Sequence, residues 1–142
     1  MIEITEAVLV PEEITAVVRR DTNGAVVTFL GATRGVSQGR RVLYLEYEVY
    51  GHMAKSKLEE VAEEIRVKWG IEDVAICHRV GRVEVGEVSL VVAVASPHRK
   101  EAFAACAYAV DRIKTVVPVW KKEVFEDGHV WVGDQEAAAS GE

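Results

Sequence analysis

Residues 81–123, GRVEVGEVSLVVAVASPHRKEAFAACAYAVDRIKTVVPVWKKE, decide the fold. Residues 81–85 alternate and read as a short strand, with Gly86-Glu87 as a turn. Residues 88–96 are then almost continuously apolar, the mark of a long buried strand. Ser96 is a good helix N-cap and Pro97 a good first helical residue, so a helix is expected over 97–114. Ala102, Phe103, Cys106, Val110 and Ile113, or close neighbours, supply its core face. Pro118 ends the helical pattern. VWKKEVF and HVWV then flank Asp127-Gly128, a hairpin signal.

The same periods extend upstream. Pro11, Glu12 and Glu13 open a helix with Ile14, Val17 and Val18 as its apolar side, and DTNG (21–24) stops it. AVVTFL (25–30) is a strand, and GATRGVSQGRR (31–41) a polar, glycine-rich loop. VLYLEYEVY (42–50) alternates, with Leu43, Leu45, Tyr47 and Val49 on one side. Residues 53–69 form the clearest helix, through Leu58, Val61, Ala62, Ile65 and Trp69, and Gly70 supplies its stop. DVAICHRV (73–80) is a strand. This order predicts an α+β class: a mostly antiparallel sheet, helices packed on one side, and a C-terminal β-hairpin. One domain is expected over 1–135, followed by a weakly ordered tail at 136–142.

The chain has 142 residues, 49% of them hydrophobic and 28% charged, with a net charge of −6. That charge argues against general binding to nucleic acid or anionic membrane, both of which need a wide basic surface. No apolar stretch reaches the ~20 residues of a membrane span, and no signal peptide is visible. Cys77 and Cys106 form no disulfide framework, so the cytoplasm is the expected compartment. The histidines show no metal-ligand spacing, and no metal or cofactor is expected. His78 alternates with apolar residues and reads as a packed strand histidine. Both cysteines read as inert and buried.

Against this acidic background stands a basic segment. Between 98 and 122 lie Arg99, Lys100, Arg112, Lys114, Lys121 and Lys122, opposed only by Glu101 and Asp111. His98, Arg99 and Lys100 sit at a helix start, where unpaired N–H groups already make the backbone positive. A bound anion would turn that cost into a gain; a solvated basic turn is the plainer alternative. The loop at 31–41 adds Arg34, Arg40 and Arg41 among three glycines, without the Gly-Lys-Ser/Thr ending of a phosphate loop.

FLGATRG, HRVG, SPHRKEAF and IKTVVPVWKKE, in this order, resemble the large, catalytic subunit of molybdopterin synthase, from about residue 3 to the Trp131 region. The resemblance implies an α/β hammerhead fold and a sulfurtransferase active in molybdenum cofactor biosynthesis. It implies a homodimer in which each copy binds a small ubiquitin-like sulfur-carrier subunit, giving a heterotetramer. The carrier's C-terminal Gly-Gly thiocarboxylate would donate sulfur to cyclic pyranopterin monophosphate (precursor Z), forming the dithiolene of molybdopterin. By position, Lys114 and Lys121 would be catalytic. Ala32, Thr33, Arg34, His98, Arg99, Lys122 and Glu123 would join them in binding substrate. The alternative expectation is a non-catalytic anion-binding module that recruits the carrier protein only for assembly.

Overall fold

The computed structural model describes residues 1–133. The proposed boundary at 135 and the tail at 136–142 lie outside the described residues. In chain order the elements are β1 (Ile2–Thr5), α1 (Pro11–Val18), β2 (Ala25–Ala32), β3 (Val36–Ser37), β4 (Arg40–Val49) and α2 (Gly51–Trp69). They continue with β5 (Val74–Arg79), β6 (Gly81–Glu84), β7 (Val88–Ser96), α3 (Arg99–Val116), β8 (Val119–Phe125) and β9 (Gly128–Gly133).

Two sheets result. The first has the order β1-β5-β7-β2. The apolar run of β7 lies inside it, antiparallel to both β5 and β2. β1 joins at the edge, parallel to β5. The second sheet runs β3-β4-β8-β9, with β6 also paired to β4. The C-terminal hairpin therefore belongs to this second sheet, with Phe125 opposite Gly128. The α+β class holds, with antiparallel pairing everywhere except β1.

Side-chain alternation splits the first sheet into two cores. Val74, Ile76, Val92 and Val94 point towards α2 and α3, meeting Leu58, Val61, Ile65 and Ile113. Ala75, Cys77, Val91, Ala93 and Ala95 point the other way, onto Leu9, Ile14 and Val18. So α2 and α3 share one side as expected, while the short α1 closes the reverse face. Strands covered on both sides leave no polar alternation, and this is why 88–96 reads as a continuous apolar run.

Several local expectations shift. The third helix begins at Arg99 with His98 as its N-cap residue, and no side chain caps it. Ser96 is still in the sheet, opposite Ala25, and its hydroxyl donates to the His98 carbonyl at 2.5 Å. Phe103 is 61% exposed; the core face is Ala102, Ala105, Cys106, Ala109 and Ile113. In β4 a register shift between Val42 and Tyr44 buries Val42 in place of Leu43. The polar loop at 31–41 contains a hairpin of its own, in which Ser37 pairs with Arg40. Gln38 and Gly39 form its two-residue turn with φ of 52° and 75°, a geometry that favours glycine at the second position.

Candidate active site

α3 carries Lys114 in its last turn, where a cation complements the exposed carbonyls of the helix end. Val117 caps the helix, its N–H donating to the Ile113 carbonyl at 3.2 Å. Pro118 has no N–H to continue the ladder, and the chain turns directly into β8. That strand alternates strictly: Val119, Lys121, Glu123 and Phe125 are buried, while Trp120, Lys122 and Val124 are not. An alternating strand thus sends Lys121 and Glu123 inward together, at 8% and 6% exposure.

Both side chains enter a cleft of about 770 Å³ between the two sheets and the end of α3. Phe29, Leu90, Val110 and Ile113 give it apolar walls, and Tyr47 and His78 also line it. Its charged groups are Arg34, Lys114 and Lys121 against Asp111 and Glu123. Cations set in apolar walls attract an anion more strongly than they would in open water, because the local dielectric is lower. The arrangement can hold an anionic reactant against an amine that binds, donates or accepts a proton.

Ala32, at the end of β2, lines this cleft beside Arg34. A register shift between Gly31 and Ala32 re-aims the chain at this point. Thr33 is 4% exposed and is not among the lining residues. Its backbone N–H donates to the Glu87 carbonyl at 2.9 Å, and its carbonyl accepts from Gly86 at 2.8 Å. The β6–β7 turn therefore anchors the strand end from which Arg34 projects. That turn is in turn held by Glu87, whose carboxylate lies 3.2 Å from Arg79 and accepts from the Glu84 N–H at 2.8 Å.

The remaining expected residues lie elsewhere. Lys122 points to the opposite face of its sheet, 3.0 Å from its cross-strand partner Glu46 and 5.6 Å above the Trp131 ring. His98 and Arg99 line a separate depression with Gly24, Pro97 and Lys100, at the other end of α3. Lys114 lies fifteen helical steps beyond Arg99, or about 22 Å at 1.5 Å per step. Within one copy of the chain these two groups do not meet.

Tyr47, His78 and Asp111 also line the cleft, although none of them was expected there from the sequence. His78 is packed in its strand as expected, at 4% exposure, yet it also faces the cleft. Burial pushes its pKa down to about 4, opposed by the Arg79 carbonyl and assisted by the charge of Lys114. Burial pushes the Cys77 thiol up to about 11 and raises that of Cys106 as well. Neither is poised as a nucleophile. Among the described residues, no three His, Cys, Asp or Glu side chains gather as a metal site, and no helix is long and apolar enough to cross a membrane.

Fold and cleft together define a class: an α+β protein that brings a helix-end lysine and a strand lysine onto one cavity. The chain belongs to the MoaE protein family, which it matches over residues 4–116. The molybdopterin synthase catalytic subunit of Halalkalibacterium halodurans is 46% identical over 132 residues, covering 93% of this chain and 85% of that protein. The X-ray structure of molybdopterin synthase from Staphylococcus aureus superposes with a TM-score of 0.89 at 41% identity, covering 93% of this chain and 96% of that one. A chain from the complex of subunits 1 and 2 of the Helicobacter pylori molybdopterin-converting factor shares the fold at 20% identity and a TM-score of 0.73, over 92% of this chain and 88% of that one.

Proposed function

We propose that this chain is the catalytic subunit of a molybdopterin synthase, a sulfurtransferase of molybdenum cofactor biosynthesis. A small ubiquitin-like carrier inserts its C-terminal Gly-Gly thiocarboxylate into the cleft. There it donates sulfur to cyclic pyranopterin monophosphate, and two such transfers build the dithiolene. In each transfer the sulfur bonds to a side-chain carbon of the pterin as a carbon–oxygen bond at that carbon breaks and the oxygen leaves. Water then cleaves the carrier's carbonyl–sulfur bond, returning the carrier as a carboxylate and leaving the sulfur on the pterin. The observation that carries this reading is the meeting of Lys114 and Lys121 in one cleft with Arg34, in a chain of the MoaE family.

Lys114 stands nearest the chemistry: its amine binds the anionic reactants and moves a proton during transfer. Lys121 and Arg34 hold negative charge beside it, Arg34 by a fork suited to phosphate. Glu123 and Ala32 complete the lining, while Thr33 and Lys122 act through the backbone and the sheet that carry their neighbours. His98 and Arg99 come from a second copy. The protein is a homodimer in which one copy's α3 start reaches the other's cleft, and two carriers make a heterotetramer. The reaction is placed in the cytoplasm.

The test combines the chain with thiocarboxylated carrier and the pterin monophosphate and follows dithiolene formation. Lys114→Ala should fold and bind the carrier, yet lose at least about 100-fold in transfer rate, the usual scale for a lost acid–base group. Turnover near that of the parent would remove Lys114 from the mechanism. No dithiolene from the parent chain would remove the activity itself.

A further inference from the structure

His78 is the buried titratable group of the cleft that sulfur transfer, as laid out above, leaves without a task. It sits on β5, opposite Ile4 of β1 and Leu90 of β7. Its Nδ1 lies 2.8 Å from the Arg79 carbonyl oxygen. A carbonyl can only accept, so Nδ1 carries the ring proton and Nε2 is left as a bare acceptor. The Tyr47 ring meets the imidazole edge-on, with centroids 5.2 Å apart and planes at 76°. Tyr47 is also the cross-strand partner of Lys121. Imidazole, Lys114 and Lys121 all line one cavity. Burial and the Lys114 charge both keep the ring unprotonated.

A lysine amine at the end of four rotatable bonds needs a partner to fix its direction. A carboxylate would do so but would also cancel the charge that draws anions in. A neutral nitrogen orients the ammonium and leaves that charge intact.

We propose that His78 is a positioning residue for Lys114: its bare Nε2, aimed by the Arg79 carbonyl and the Tyr47 ring, accepts a hydrogen bond from the Lys114 ammonium and directs the amine towards the reacting atoms. The proposal rests on the catalytic reading of Lys114, and its test separates the two. His78→Phe keeps the ring without an acceptor, and His78→Gln restores an acceptor oxygen near the Nε2 position. In the free chain, the pH dependence of Lys114 acylation by acetic anhydride, read by mass spectrometry, reports the titration of that amine. With carrier and pterin present, kcat and KM are measured on the same variants.

The expected result is that His78→Phe shifts the Lys114 titration to lower pH, because the charged amine has lost its acceptor. It lowers kcat about tenfold with little change in the pterin KM, and His78→Gln recovers most of both. An unchanged Lys114 titration in His78→Phe would overturn the proposal. So would equal effects of the Phe and Gln variants on titration and kcat. If His78→Phe does not fold, His78→Leu against His78→Gln decides by the same criteria. The acylation profile needs no turnover, so it still reads the contact if Lys114 itself proves dispensable for transfer.

Discussion

At the residue scale, burial decides what each ionisable group can do. His78 binds its proton only near pH 4 in the folded chain, against a value of 6.5 in its ordinary state. Between those limits the unfolded chain binds more protons, so acid favours unfolding there. Stability contributed by the neutral imidazole is complete above about pH 6.5 and is lost as pH falls towards about 4, up to about 3 kcal/mol. Chemical denaturation of the parent and of His78→Phe at pH 7 and pH 4.5 measures this. The parent should lose more stability than the variant over that interval, and equal losses would contradict a buried neutral histidine. Position decides as much as burial. Lys121 and Lys122 are adjacent in sequence, yet one faces the cleft and the other pairs with Glu46.

At the element scale, the ends of α3 matter more than its middle. Its interior face is small, with Ala102, Ala105, Cys106 and Ala109 packing closely, and it is tied to α2 by a polar cluster. Glu64 accepts from the Tyr108 hydroxyl at 2.6 Å and from Arg112 at 3.0 and 3.1 Å. The chain entering α3 is fixed by a close approach at Gly24, where an added Cβ would meet the Pro97 carbonyl oxygen at 2.7 Å. Gly24→Ala must push apart the turn before β2 and the lead into α3. A loss of about 1–3 kcal/mol, the usual cost of such overpacking, is expected by thermal or denaturant melting. Sulfur transfer should fall with it, because the displaced segment carries His98 and Arg99. Unchanged stability would mean that the contact relaxes freely.

At the scale of the whole molecule, the separation of Arg99 from Lys114 sets a requirement. If a second copy brings His98 and Arg99 to the cleft, the Arg99→Ala and Lys114→Ala proteins, each poorly active alone, should complement one another. A mixed dimer then holds one cleft with both defects and one with neither, and co-refolded variants should regain up to about half of the parent activity per mixed dimer. Absence of recovery in verified mixed dimers would show that each copy builds its site alone.

Much of the fold was legible because the decisive segments carry strong local signals. The apolar run of β7, the periodic face of α2 with Gly70 after it, and the Asp127-Gly128 turn specify their elements directly. β1 gave little signal, since four mixed residues at a sheet edge depend on β5 for their pairing. Phe103 misled because a large apolar side chain at a helical period looks like core, whereas close packing on the sheet selected Ala102 and Ala105. The basic segment and the family motifs exposed Lys114, Lys121 and Arg34 as candidates. Nothing local revealed Tyr47 or Asp111, whose roles come from register and from the helix end.

The sequence by itself determined the order of the three helices and the longer strands, and the concentration of positive charge between residues 98 and 122. Those follow from covalent geometry and from the 2.0 and 3.6 residue periods, which act over a few neighbouring positions. Only the tertiary structure decided that Lys114 and Lys121 share a cavity with Arg34 and His78, that Lys122 faces away, and that Arg99 stands at the far end of α3. Which side chains meet depends on strand register and sheet packing between distant segments, and these are fixed by burial of the whole core.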